Sequence, residues 1–196
     1  MVKKYFILAL LLFNTICTFA DYWLKYPKTI VAYSQNKEYM LKVYSVGTDS
    51  HHSYEYQRQV KKRIVKETFM PCYAVLYRIL NSDTIEIWNK PLVNLPLPVE
   101  AIVANDGKSV ITIDNWGTRG LIHTLVIYGE DGELIKDFEL KDISPFPLEQ
   151  YWQTISSIHW GSDVEYLDND RVVIRFKSEN DEKKERIFDI KKRAFE

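Results

Sequence analysis

Short runs in which apolar and polar residues alternate dominate the sequence from residue 21 onward. The clearest stretch is 99–140, where apolar runs are separated by Asn105-Asp106-Gly107, by the loop 114–120 and by Glu130-Asp131-Gly132. Such alternation is typical of half-buried β-strands, and Asp-Gly pairs are typical of hairpin turns. The pattern predicts four sequential strands at 99–103, 109–114, 123–128 and 134–140, which form a meander.

The same alternation recurs on either side of this stretch, at 39–46, 72–80, 84–88, 165–167, 171–177 and 185–190. Strand pairs that recur every 35–50 residues or so are typical of propeller blades and other meandering β units. The sequence therefore predicts one mainly-β domain over residues 21–196. Its antiparallel strands form either about three propeller-like units or a curled two-sheet β-sandwich.

Two segments depart from this β pattern. In 54–67, Tyr56, Val60 and Ile64 follow one another at intervals of four, which indicates a short amphipathic helix, although an extended hairpin arm also fits. In 144–153 two prolines exclude a central strand, and we expect one helical turn or a covering loop.

The first 20 residues have the pattern of a cleaved secretory signal peptide. Lys3 and Lys4 precede the apolar run 5–13, and Thr18 and Ala20 are small residues at the −3 and −1 positions of a cleavage site. The alternative is an uncleaved anchor, but the apolar run is much shorter than the roughly 20 residues that span a bilayer. We expect an exported protein, periplasmic or extracellular, with no stable membrane span after processing.

The net charge limits the possible partners, and the cysteine content limits the possible disulfides. The formal net charge is −1, and removal of the leader leaves 24 basic against 27 acidic residues, so nucleic acid is not an expected partner. Because Cys17 leaves with the leader, Cys72 stands alone and no intramolecular disulfide can form. We expect Cys72 to be a buried, inert thiol.

The runs Lys90-Pro91-Leu92-Val93-Asn94 and Asp114-Asn115-Trp116 lie within a stretch, 88–160, that resembles a set of uncharacterised exported bacterial proteins. These proteins share a Pro-Leu-Val-Asn and Asp-Asn-Trp signature, and the repeat texture is also similar to β-propeller blades. The resemblance implies an exported all-β domain and carries no activity with it.

The sequence contains no nucleophile elbow, phosphate loop, HExxH, EF-hand or CxxC motif, so no cofactor and no catalytic residue is predicted. His51 and His52 lie in the polar run 47–53, which predicts a loop. Adjacent residues on an extended strand point opposite ways, so the pair is a poor chelate and we predict no metal site. A metal site there would require His123 or His159 from another unit. A glycoside hydrolase would require two facing acids, for which Glu100 and Asp114 are candidates.

The loop 114–120 carries an acid, an amide, an indole and a guanidinium, supplied by Asp114, Asn115, Trp116 and Arg119. Such a set can stack on and orient a sugar or a peptide, and Trp160 is a second aromatic candidate for the same surface. The alternative for both tryptophans is packing at the end of the β core.

The sequence thus predicts an exported, non-catalytic binding or scaffold domain that engages a protein or glycan partner through loops including 114–120. Open sheet edges also suggest self-association. The alternative is a secreted hydrolase acting on glycan or peptide. A hydrolase should bring at least two of Asp114, Glu100, His123 and His159 into one cleft, whereas a binding module should show an exposed aromatic surface.

Overall fold

The computed structural model describes residues 29–44, 72–81, 83–94, 97–114, 121–154, 157–161 and 163–196. Its strands form three four-stranded antiparallel sheets, and within each sheet the strands follow one another in chain order. The first sheet contains β1 (Thr29–Tyr33), β2 (Tyr39–Tyr44), β3 (Tyr73–Leu80) and β4 (Asp83–Pro91). The second sheet contains β5 (Glu100–Val103), β6 (Val110–Ile113), β7 (Leu125–Tyr128) and β8 (Leu134–Phe138).

A short connecting region separates the second sheet from the third. It contains α1 (Leu140–Ile143), a 3₁₀ turn (Leu148–Gln150) and a small hairpin of β9 (Trp152–Gln153) and β10 (Ile158–His159). The third sheet contains β11 (Asp163–Tyr166), β12 (Arg171–Lys177), β13 (Lys183–Asp189) and β14 (Ala194–Phe195). The prediction of a mainly-β fold built from about three meandering units is therefore confirmed.

The second sheet lies between the other two, because alternate residues of its strands contribute to different cores. In β6, Val110 packs in a cluster with the first sheet, whereas Ile111 and Ile113 pack in a cluster with the third. Every residue of β6 and β7 is buried, as expected for strands that are covered on both faces. Burial of these branched side chains, at about 25 cal/mol per Å² of apolar surface, is the main stabilising term.

Turn residues at one end of the molecule join the first and second sheets. The Asn36 backbone N–H donates to Asn105 Oδ1 at 2.9 Å, and the Asn36 side chain donates to the Asn105 carbonyl at 2.9 Å. Gly107 has a φ of 71°, and a Cβ at this position would clash with the ring of Tyr39. Glycine is therefore required here both by backbone conformation and by close packing.

The predicted strand 134–140 is two residues too long. β8 ends at Phe138 and α1 begins at Leu140, where the Asp142 carboxylate accepts a hydrogen bond from the Glu139 N–H at 3.2 Å. This side-chain acceptor satisfies a free amide at the start of the helix. The predicted helical turn within 144–153 is confirmed as the 3₁₀ turn. The leader 1–20 and the segment 54–67 lie outside the described residues.

Candidate functional site

The predicted loop 114–120 begins at a fully buried carboxyl group. Asp114 directly follows β6, has no exposed surface, and its backbone N–H donates to the Thr124 carbonyl at 3.0 Å. The two stems of the loop are therefore joined by a backbone hydrogen bond. Asn115, Trp116 and Arg119 lie outside the described residues, so their role in recognition stays a prediction.

Glu100 and Asp114 do not form a facing pair of carboxylates. Glu100 pairs with Ile113, whose side chain packs toward the third sheet, and successive residues of a strand point to opposite faces. Consistent with this placement, burial and then the charge of Asp163 raise the pKa of Glu100. Asp114 lies on the other side, where its charge helps raise the pKa of the Cys72 thiol.

The two described candidate histidines are also separated. His123 Nδ1 lies 2.8 Å from Asp137 Oδ2, and this half-exposed pair belongs to the second sheet. His159 belongs to β10, where its ring lies against Trp152. Each histidine thus has a partner other than Asp114 and Glu100, and the grouping expected of a hydrolase is not seen among the described candidates.

Asn94, the last residue of the Pro-Leu-Val-Asn run, lies at the centre of a buried polar network. Its Oδ1 accepts a hydrogen bond from the Thr112 hydroxyl at 2.7 Å, and its carbonyl accepts one from Cys72 Sγ at 3.1 Å. The Tyr128 hydroxyl accepts a hydrogen bond from the Val93 N–H at 3.0 Å. The network attaches the segment after β4 to the face of the second sheet.

Within this network Cys72 is poorly suited to nucleophilic chemistry. Burial, followed by the charge of Asp114, raises the pKa of its thiol to about 12, and its side chain is buried. A reactive cysteine needs a thiolate, which burial in apolar surroundings disfavours. The geometry therefore agrees with the expectation of an inert thiol.

Trp160 does not present an aromatic face to solvent, and its position agrees with the alternative of packing in the β core. Its side chain has no exposed surface and packs against Phe176 with ring centroids 5.5 Å apart. The Trp160 carbonyl accepts a hydrogen bond from the Lys177 N–H at 3.1 Å, which holds this backbone against β12 and turns the indole into the core. The next residue, Gly161, permits this close approach because a Cβ would lie 3.0 Å from the Lys177 nitrogen.

An open groove of about 350 Å³ lies beside Trp160, between the β9–β10 hairpin and the turn that joins β12 to β13. We call it the Trp152 groove. Its lining residues are Trp152, His159, Trp160, Gly161, Lys177, Ser178, Glu179 and Asp181. Grooves that combine aromatic surface with a few convergent polar groups are typical of ligand sites.

One wall of the Trp152 groove is aromatic. The Trp152 side chain is 55 % exposed, and its ring centroid lies 4.3 Å from that of His159 with 30° between the planes. The tilted imidazole covers part of the indole and leaves much of its surface in contact with solvent. The exposed aromatic surface at this position is thus formed by Trp152 and not by Trp160.

The other wall is a tight turn that carries charged side chains. Lys177 Nζ lies 2.6 Å from Asp181 Oδ1, and this interaction lowers the pKa of Asp181. The Ser178 N–H donates to the Glu182 carbonyl at 2.9 Å, which closes the turn. The Glu179 N–H donates to the Gln150 carbonyl at 2.7 Å, so the turn is fixed to the connecting region.

The groove and the stems of loop 114–120 lie toward the same end of the molecule. Glu100 pairs with Ile113, the residue before Asp114, and feels the charge of Asp163. Asp163 in turn pairs with Arg175, two residues before the groove residue Lys177.

Comparison with known proteins finds no family model that matches the chain and no curated protein with significant similarity. The class that the structure itself defines is a mainly-β domain of meandering antiparallel sheets with an aromatic surface groove. In the part of the chain that is described, no helix is long and apolar enough to cross a membrane. The same residues contain no cluster of three His, Cys, Asp or Glu side chains that could hold a metal ion.

Sequence reasoning missed Trp152, although a signal was present. Trp152 follows the proline-containing segment 144–147 and is flanked by Tyr151, Gln153 and Thr154. A tryptophan between polar residues in a segment too irregular for a central strand favours a surface position. That signal does not identify the facing turn, which is more than 20 residues further along the chain.

Proposed function

We propose that this protein is an exported, non-catalytic binding domain that engages a protein or glycan partner through the Trp152 groove and through loops including 114–120. The observation that carries the proposal is the exposed Trp152 indole, supported by His159 and faced by a fixed polar turn. Large rigid aromatic rings supply contact area at low entropic cost, and adjacent polar groups fix orientation. The alternative of a hydrolase has less support, because Glu100, Asp114, His123 and His159 have separate surroundings.

The proposal is tested by the thermal midpoint of the purified protein in the presence of soluble oligosaccharides and envelope peptides. A ligand at one hundred times its dissociation constant stabilises the folded state by about 2.7 kcal/mol, which gives a measurable shift. We expect at least one ligand class to raise the midpoint of the wild type. Trp152→Ala should abolish this shift while the variant remains folded.

Leu134→Ala is the matched control, because Leu134 is 49 % exposed but belongs to β8, outside the groove. It should retain the full ligand-induced shift. A shift that persists in Trp152→Ala, or a panel that leaves the wild type unchanged, would contradict the proposal. Self-association, also predicted from the open sheet edges, is tested separately by the native mass of the purified protein.

A further inference from the structure

We infer that the Trp152 groove takes a lysine or arginine side chain presented by a protein partner, with the cation between the Trp152 indole and the Glu179 carboxylate. The inference rests on the proposed function of the groove and names the chemistry of its ligand. It follows from which charges in the groove are already paired, from the exposed aromatic surface, and from the hydrogen-bonding groups that remain for a ligand.

The first step concerns charge. Lys177 and Asp181 neutralise each other across 2.6 Å. The Glu179 side chain is exposed and has no ion-pair or hydrogen-bond partner among the described residues, although its backbone N–H is held by Gln150. Of the Lys, Asp and Glu side chains that line the groove, Glu179 therefore keeps an unpaired negative charge, which favours a cationic ligand.

The second step concerns the aromatic wall. Tryptophan is the best of the aromatic side chains at attracting a cation to its ring face, and the aliphatic stem of lysine or arginine packs well on the same surface. The chain already uses this interaction in neighbouring elements. Lys184 Nζ lies 4.4 Å from the Phe146 ring centroid, and the Arg186 guanidinium lies 3.7 Å from that of Phe195.

The third step compares a cationic side chain with a neutral sugar. A sugar hydroxyl both donates and accepts, and it is best recognised by a mixture of donors and acceptors. In the groove Ser178 Oγ already accepts the Glu182 N–H at 3.2 Å, and Lys177 is occupied by Asp181. The remaining charged group, Glu179, is an acceptor only, which matches the donors of an ammonium or guanidinium group.

The test measures binding of a fluorescein-labelled peptide of four Gly-Arg repeats by fluorescence anisotropy. The comparison peptide has citrulline in place of arginine, which keeps the shape of the side chain and removes its charge. We expect the arginine peptide to bind the wild type at least tenfold more tightly than the citrulline peptide. Glu179→Gln and Trp152→Ala should each weaken binding of the arginine peptide about tenfold, the effect of losing one charged or cation–π contact.

Glu130→Gln is the matched control, since Glu130 is an exposed acid in the turn between β7 and β8 and its loss changes the net charge equally. It should leave the affinity unchanged. Equal binding of both peptides, or equal effects of Glu179→Gln and Glu130→Gln, would overturn the inference. If a soluble oligosaccharide such as chitohexaose binds with dependence on Trp152 but not Glu179, the inference fails and the proposed function stands. If no ligand depends on Trp152, both fail.

Discussion

The hydrogen bond between Asn94 and Thr112 provides the most quantitative prediction for the core. Both side chains are fully buried, and the Thr112 hydroxyl donates to Asn94 Oδ1 at 2.7 Å. Asn94→Ala removes this acceptor and leaves the hydroxyl buried without it. Removing one partner of a buried hydrogen bond costs about 1–3 kcal/mol, because the remaining group stays desolvated and unpaired. We therefore expect Asn94→Ala to lower the free energy of unfolding by about 1–3 kcal/mol.

The double-mutant cycle isolates this interaction from other effects of the substitutions. Thr112→Val removes the hydroxyl with little change in shape and should cost about 1 kcal/mol. Because Asn94→Ala no longer leaves an unpaired hydroxyl when residue 112 is valine, the double variant should be more stable than the sum of the single effects predicts, by about 1 kcal/mol. The assay is urea unfolding followed by tryptophan fluorescence.

Additivity of the two free-energy changes within about 0.3 kcal/mol would refute this reasoning, since uncoupled sites add within that error. It would mean that the hydrogen bond between Asn94 and Thr112 does not contribute to stability, and that Asn94 acts through its other contacts, such as those with Tyr128 and His123. The matched control is Ser157→Ala. Ser157 lies outside the network, and its hydroxyl hydrogen-bonds to that of Thr154. Ser157→Ala should therefore show no coupling to Thr112→Val. Coupling of equal size there would also contradict the account.

Two further predictions concern buried groups. Because the pKa of Cys72 is raised to about 12, its thiol in a Cys17→Ser variant should react with iodoacetamide at pH 8 far more slowly in the folded protein than in urea, and equal rates would contradict its burial. The raised pKa of Cys72 also makes the free energy of unfolding depend on pH, because the folded state holds the thiol proton more tightly than the unfolded state. This contribution is present in full below about pH 9 and is lost as the pH rises toward 12. Trp160→Ala should cost about 3–5 kcal/mol in urea unfolding, the usual range for a buried aromatic. Trp160→Phe should cost clearly less, because it keeps an aromatic ring in the core. It also removes an indole N–H that has no hydrogen-bond partner among the described residues. Equal losses of stability in the two variants would show that ring packing is not the main contribution.

Much of the fold could be predicted because local pattern and tertiary structure agree in the second sheet. The turns at Gly107 and Gly132 have positive φ values of 71° and 77°, as the Asp-Gly pairs indicated, and the flanking branched residues are buried. The strand β1 was missed because its residues alternate only between exposed and half-buried positions. Its sequence therefore shows little alternation between apolar and polar side chains. The two-residue strands β9 and β10 are too short to produce a periodic signal.

The candidate site could be predicted only in part, because non-local backbone contacts assemble it. The Trp152 groove exists because Trp160 and Gln150 accept hydrogen bonds from the N–H groups of Lys177 and Glu179. No local pattern specifies which turn faces a given hairpin. The same contacts bury Trp160, so the tryptophan named from the sequence is a core residue while Trp152, eight positions earlier, is exposed.

The most direct test of the central claim is a titration followed by the indole N–H signals of the tryptophans in a ¹⁵N-correlated NMR spectrum. The ligand is the arginine peptide or whichever panel member raises the thermal midpoint, and Trp152→Phe assigns the key signal. The account predicts that the Trp152 signal shifts in a saturable way. The signal of Trp88, which is buried in the core between the first and second sheets, should stay in place. A titration in which Trp152 is unperturbed, while another indole reports saturable binding, would contradict the assignment of the groove as the recognition site.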